Sequence, residues 1–178
     1  MKTFRNLVAP VLSCFFFLAV IMIPATGLAA EGDTVVFLVR HAEKTDESRD
    51  PELSEAGRQR ARELARMLRD AGIQHIHSTD FIRCRDTAAP LAEMLGLEVE
   101  LYNWDDPAEF ARSLKQGGQR HLVIGHSNTT TKLVALLGGT PGAEIDHSGE
   151  YDRLYLLTID SRDKVTSLLI RYGRPFTK

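Results

Sequence analysis

Apolar residues along this chain fall into two alternating patterns. Apolar runs occupy Thr34 to Val39 and His121 to Gly125 and predict buried strands, and Ile73 to Ser78 reads as a further strand. Between them, apolar residues recur at helical spacing. Ser54 is placed to cap a helix to about Ala71, with Ala61, Leu64, Ala65 and Leu68 on one face and Gly72 closing it. A second helix opens at Thr79 or Asp80 and ends at Gly96. Glu98 to Leu101 reads as a short strand, Ala108 to Lys115 as a short helix, and Ser127 to Leu137 as a helix stopped by Gly138-Gly139. Tyr151 to Ile159 and Val165 to Tyr172 read as a closing hairpin around Asp160 to Lys164. Polar Ala42 to Leu53, with Asp50-Pro51, is a loop. Strands alternating with helices predict one α/β domain, with a mostly parallel central sheet and helices on both faces.

Residues 1–30 follow a different pattern. Lys2 and Arg5 precede the apolar run Val11 to Ile23, and Ala25-Thr26-Gly27-Leu28-Ala29-Ala30 supplies small residues. That order predicts a secretory signal peptide over 1–30, cleaved after Ala29 or Ala30, and a folded domain over 31–178. The run is short for a spanning helix, which needs about 20 apolar residues. The expected location is periplasmic or secreted, without stable membrane insertion; the alternative is an uncleaved N-terminal anchor. Loss of Lys2 and Arg5 leaves 20 basic against 24 acidic residues, a charge of −4. A mildly acidic domain offers no footprint for nucleic acid. Cys14 departs with the signal, and Cys84 reads as a packed thiol.

Chemistry-bearing residues cluster where strands end. Arg40-His41-Ala42-Glu43 follows the first run, Ser78 to Ala88 the second, and Gly125-His126-Ser127-Asn128 the third. In open α/β sheets the ligand crevice lies beyond the carboxyl ends of the strands. Three strand ends would therefore deliver two histidines and several arginines to one place. Guanidinium suits phosphate through bidentate, charge-assisted hydrogen bonds, and the helix starting at Ser127 would add its N-terminal amides.

These motifs resemble the histidine phosphatase, or phosphoglycerate-mutase-like, superfamily. Arg40-His41-Ala42 resembles its Arg-His-Gly signature, and Pro51-x-Leu53-Ser54-x-x-Gly57 its lead into the first helix. Ser78-x-Asp80-Phe81-x-Arg83-x-x-Asp86-Thr87-Ala88 is similar to its second-arginine block, and Gly125-His126 to its second-histidine motif. The resemblance implies a compact exported phosphatase that hydrolyses a small phosphate monoester through phosphohistidine on His41. Arg40, Arg83 and His126 would hold the phosphoryl oxygens, with Ser127 and Asn128 beside the substrate and neither metal nor cofactor required. Ala42 departs from the usual Gly and requires a negative φ. The proton donor stays open: Asp105, Asp106 and Glu109 lie in the window where one branch keeps its acid, with Asp105 and Glu109 the first candidates.

Other residues read as peripheral. Arg85, two positions after Arg83, points about 200° away on a helix, toward the surface. His75 and His77 share a strand face without further metal ligands, and His121 reads as structural. His147, near Glu144, is a candidate for the pocket rim; Trp104 and Tyr102 belong to either a substrate mouth or the core. A phosphoglycerate-mutase-type phosphotransferase is the nearest enzyme alternative, but the short interval between Arg83 and His126 argues for a phosphatase. A phosphohistidine protein phosphatase would need cytoplasmic substrates. A non-catalytic phosphate- or phosphosugar-binding protein would have no need of both His41 and His126. Oligomeric state is not encoded in these patterns.

Overall fold

The apolar run Thr34–Arg40 forms β1, and every one of its residues is buried. This burial follows from its central place in a computed structural model that describes residues 32–177. The expected signal segment lies outside the described residues. The order of elements is β1, α1 (Glu55–Leu68), β2 (His75–Ser78), α2 (Ile82–Leu95), β3 (Val99–Leu101), α3 (Pro107–Leu114), β4 (Arg120–Gly125), α4 (Ser127–Leu136), β5 (Arg153–Ile159) and β6 (Val165–Arg171). The six strands make one sheet in the order β3-β2-β4-β1-β5-β6. The first four in that order are mutually parallel, while β5 and β6 run antiparallel as a terminal hairpin. The expected single α/β domain with a mostly parallel sheet is what the chain forms.

Period-two alternation sends the two sides of β1 into two separate cores. Val35, Phe37 and Val39 pack with Leu64, Leu68, Ala88 and Leu91 of α1 and α2. Val36 and Leu38 pack on the other face with Ala111, Leu114, Leu133 and Val134 of α3 and α4. Among the described residues, no helix is long and apolar enough to cross a membrane.

Helix starts show where local sequence rules succeed and where tertiary context wins. Ser54 caps α1 as expected, its hydroxyl accepting from Gly57 N at 3.1 Å. Neither Thr79 nor Asp80 caps α2. Its N-cap is Phe81, and the first-turn amide of Ile82 donates instead to Asp50 Oδ1 of the preceding loop at 2.9 Å. A carboxylate distant in sequence thus does the work of a cap and pulls the 42–53 loop onto the start of α2. Asp106 caps α3, accepting from Glu109 N at 3.1 Å, with Pro107 at the first helical position.

Candidate active site

Parallel pairing sets the site. β4 lies between β2 and β1, and the register aligns Arg40 with Gly125. The next residue, His41, then donates its amide to Gly125 O at 2.8 Å. His41 and His126 therefore leave adjacent strand ends together, with ring centroids 5.4 Å apart. Gly125 permits this approach: a Cβ there would sit 2.9 Å from Thr129 Oγ1 and 3.2 Å from the Tyr102 hydroxyl.

The flanking motif residues have specific structural tasks. Ala42 N donates to Thr87 Oγ1 at 2.9 Å, and that hydroxyl donates onward to Arg83 O at 2.7 Å. The Arg-His-Ala and Arg-x-x-x-Thr segments are thereby stitched together. Ala42 carries no positive φ, since Asp163 is the only non-glycine with one among the described residues. Glu43 binds Arg60 through both carboxylate oxygens at 2.8–3.0 Å, and Arg60 also donates to Tyr172 O and Arg174 O. Gly57 lets α1 pass this loop, because a Cβ would stand 2.1 Å from Glu43 O. These contacts give the Leu-Ser-x-x-Gly motif a steric reason.

His41 is buried and His126 half-buried, and both imidazoles are neutral. His41 Nδ1 lies 2.8 Å from Ala42 O; a carbonyl can only accept, so the proton sits on Nδ1 and Nε2 keeps its lone pair. Burial pushes His41 down to about 2; the Ala42 carbonyl opposes the shift, while Arg40, His126 and Arg83 reinforce it. Burial, followed by the charges of Arg83 and Arg40, pushes His126 down to about 4. Arg83 Nη2 faces His126 Nδ1 at 3.5 Å, so that nitrogen is the unprotonated one, and Nε2–H donates to Thr79 Oγ1 at 3.0 Å.

The two arginines differ in ways the sequence does not reveal. Arg40 is fully buried, and its terminal nitrogens donate to the carbonyls of Asp146, His147 and Glu150 at 2.8–3.0 Å. Its guanidinium also stacks 4.0 Å over Tyr151. Arg83 is held more loosely, at 3.4 Å from both Asp50 Oδ1 and Arg49 O. Four buried side-chain polar atoms among the described residues lack a partner, and two are Arg40 Nε and Arg83 Nε. An orphaned buried donor costs about 1–3 kcal/mol. Of the two, Arg83 lines the cavity at this end of the sheet and Arg40 does not.

A cavity of about 590 Å³ opens on this end of the sheet, lined by His41, Arg83, His126, Ser127, Asn128 and Thr129. Phe81 and half-exposed Trp104 add aromatic walls, while Lys44, Glu144, Ile145 and His147 complete the far side. Trp104 thus belongs to the mouth, whereas Tyr102 belongs to the core and donates its hydroxyl to Ile124 O at 3.3 Å. Arg85 is outside the lining and ion-paired to Asp80. Asp105 and Glu109 are exposed and also outside the lining, beside the Asp106 cap. The lining carboxylate is Glu144, which the sequence signals only by its nearness to His147. Cys84 is buried, and burial pushes its thiol up to about 12, which keeps it unreactive.

Residues 36–109 match the family model of the histidine phosphatase superfamily, branch 1. This segment holds Arg40, His41 and Arg83, and the fold returns His126 to them from outside it. The chain is 33% identical over 119 residues to a protein named probable phosphoglycerate mutase GpmB of Erwinia tasmaniensis. That alignment covers 62% of this chain and 53% of the relative, so the chain spans about half the length of the curated relative it matches. Its fold is similar to the protein histidine phosphatase SixA complexed with tungstate, with TM-score 0.62, 21% identity, and coverage of 77% of this chain and 96% of that one. It is also similar to a mycobacterial glucosyl-3-phosphoglycerate phosphatase, with TM-score 0.58, 18% identity, and coverage of 79% and 98%. Four ordered motifs and the matched segment, residues 36–109, thus make the chain similar to the histidine phosphatase superfamily, branch 1.

Proposed function

We propose that this protein is an exported phosphatase that hydrolyses a small phosphate monoester through a phosphohistidine on His41. The observation that carries this reading is the fixed tautomer of His41. Its Nδ1 proton is committed to Ala42 O, which leaves the Nε2 lone pair as nucleophile in a cavity walled by arginine. Its low proton affinity keeps that lone pair free throughout the physiological range.

A bound phosphoryl group would meet Arg83, Arg40 Nε and His126. A phosphate dianion would oppose the burial and the arginine charges that now hold His126 neutral, so His126 would gain a proton and donate it to a phosphoryl oxygen. Positioning and charge neutralisation supply most of the catalysis in such a transfer. His41 Nε2 bonds to phosphorus as the ester P–O bond breaks, and water then cleaves the P–N bond to release phosphate. The basic, apolar and small-residue order of residues 2–30 supports export. The likeness to a named mutase supports a second reading, in which phosphohistidine passes its phosphoryl group to a hydroxyl acceptor rather than to water.

The test is covalent. Mature protein incubated with an aryl phosphate and quenched should carry acid-labile, base-stable phosphate, and His41→Ala should lose both the label and turnover. The turnover loss should be on the order of 10⁴-fold, the upper range for removal of a single catalytic group. A label that survives His41→Ala would overturn the assignment. Inorganic phosphate as the product supports hydrolysis, and a new phosphoester supports transfer.

A further inference from the structure

The leaving alkoxide needs a proton, and four of the lining side chains could be considered as its source. His41 is the nucleophile, and its one proton is held by Ala42 O. His126 faces the phosphoryl group, with its Nε2 proton turned to Thr79. Lys44 is ion-paired to Glu47. The exposed Glu144 has no side-chain hydrogen bond among the described residues to fix it. One further lining imidazole, His147, is anchored at both its backbone and its ring.

The backbone of His147 is strapped to the site. Its carbonyl accepts from Arg40 Nη2 at 2.8 Å, and Arg40 Nη1 also holds the carbonyls of Asp146 and Glu150. Glu150 braces the same loop: Oε2 accepts from Asp146 N at 2.8 Å, and both oxygens accept from Arg153. The ring of His147 lies with Nδ1 3.0 Å from Ser127 Oγ, the hydroxyl directly after His126 in the first turn of α4. Both side chains line the cavity. The charged and titratable groups around His147 are His126 at the head of α4, Arg40 at the end of β1, Glu47 in the loop after β1, and Asp146 beside it.

We infer that Ser127 and His147 form the proton-delivery pair for the leaving group, with the serine hydroxyl as the final donor. This rests on the phosphatase reading above. As His41 Nε2 bonds to phosphorus and the ester P–O bond breaks, Ser127 gives its proton to the departing oxygen and takes one from His147 Nδ1. The alcohol leaves neutral, and His147 is left as the neutral imidazole. In the second step water attacks phosphorus; its proton passes through Ser127 back to His147, the P–N bond breaks, and the starting state returns. Imidazole suits the exchange because a ring nitrogen can both release and take up a proton. It also places the missing acid in the loop after α4, away from Asp105 and Glu109.

The test compares leaving groups. An alkyl phosphate such as glycerol phosphate needs the proton, whereas p-nitrophenyl phosphate releases a stable anion and needs it far less. With His147→Gln, kcat should fall roughly 100-fold on glycerol phosphate and less than roughly tenfold on p-nitrophenyl phosphate. Ser127→Ala should show the same split, and the double variant should lose no more than either single one, as expected for one shared path. The falling basic limb of the alkyl-phosphate pH profile should disappear in both variants. Equal losses on the two substrates, or no loss, would overturn the pair. A split with His147→Gln but not with Ser127→Ala would overturn delivery through the serine. Wild type that turns over neither substrate overturns the phosphatase reading itself, and the pair with it.

Discussion

The protein holds two clusters of histidines, and the same residue type does opposite work in them. At the carboxyl ends of β1 and β4, His41 and His126 sit among Arg40 and Arg83, and buried arginine nitrogens are left without partners. At the opposite ends of β2 and β4, His75, His77 and His121 stack on one another beside Glu100 of β3. There the carboxylate is used up: Glu100 Oε1 meets His75 Nδ1 at 2.7 Å and Oε2 meets His77 Nδ1 at 3.5 Å. His77 Nε2 then meets His121 Nδ1 at 3.1 Å. Among the described residues, no group of three or more His, Cys, Asp or Glu is arranged to hold a metal ion. One cluster is an excess of positive charge around two neutral imidazoles. The other is a chain of imidazoles that ends on its own carboxylate and leaves His121 Nε2 unpartnered. Unpartnered nitrogens occur in both clusters, so what separates the candidate catalytic histidines from the outer ones is the sign of their neighbours: arginines at one end of the sheet, a carboxylate at the other.

The sharpest way to break that contrast is to remove the positive charge. Arg83→Met should lower kcat/KM by on the order of 10²–10³-fold, since it deletes a donor to the developing charge. Its effect on stability should be small, because its present contacts are long and partly exposed. Arg40→Met should lose comparable activity but also destabilise the fold by about 3 kcal/mol, because it strands three loop carbonyls that it now satisfies. Denaturant unfolding together with kinetics separates the two. Equal stability losses would mean that the arginines share one role.

The outer cluster should answer to pH rather than to substrate. Burial lowers His77 to about 4, with Glu100 opposing and His75 reinforcing the shift. Burial also lowers His121 to about 4, helped by His77 and His75 and opposed by Glu100. The unfolded chain, with imidazoles near their ordinary 6.5, binds these protons first. Stability contributed by the neutral pair is therefore present above about 6.5, falls as pH drops, and is fully lost near 4. The double variant His77→Phe, His121→Leu should shrink the stability gap between pH 7 and pH 4.5 by about 2 kcal/mol, after discounting for solvent screening. Some gap should persist, because His126 titrates in the same window. Turnover should stay within about twofold of wild type, as expected for substitutions remote from the reacting atoms. A large loss of turnover would erase the distinction between the clusters.

Much of this was legible from the sequence where local rules govern. The strands read at Thr34, Ile73 and His121 became β1, β2 and β4, and Ser54 and Gly72 marked α1 because capping and a left-handed turn are local needs. Gathering His41, Arg83 and His126 needed only the rule that parallel strands share an end. Long-range polar pairing was not legible. Nothing near Ile82 indicates that Asp50 takes its amide, and nothing near Arg40 indicates that its donors go to a loop over a hundred residues away. The same blindness separated His147 from Ser127, which meet across a loop held by Arg40 and braced by Glu150.

The smallest expected effects bear on the carboxylates between the two clusters. Asp105 and Glu109 lie at the start of α3, the helix whose Phe110 packs against His77 of the outer cluster at 5.2 Å. If the catalytic end of the sheet is poor in carboxylates by design, neither residue should supply the leaving-group proton. Asp105→Asn and Glu109→Gln should each leave kcat on glycerol phosphate within about twofold, and stability within about 0.5 kcal/mol, as for exposed substitutions away from caps and cores. Asp106→Asn is the internal control: it sits beside both and keeps a capping oxygen for Glu109 N, so it should behave the same way. A drop of roughly 100-fold on the alkyl substrate alone, in either the Asp105 or the Glu109 variant, would be the size expected of a lost general acid. It would move the proton source to α3, and the catalytic cluster would then differ from the outer one only in its arginines, not in lacking a working carboxylate.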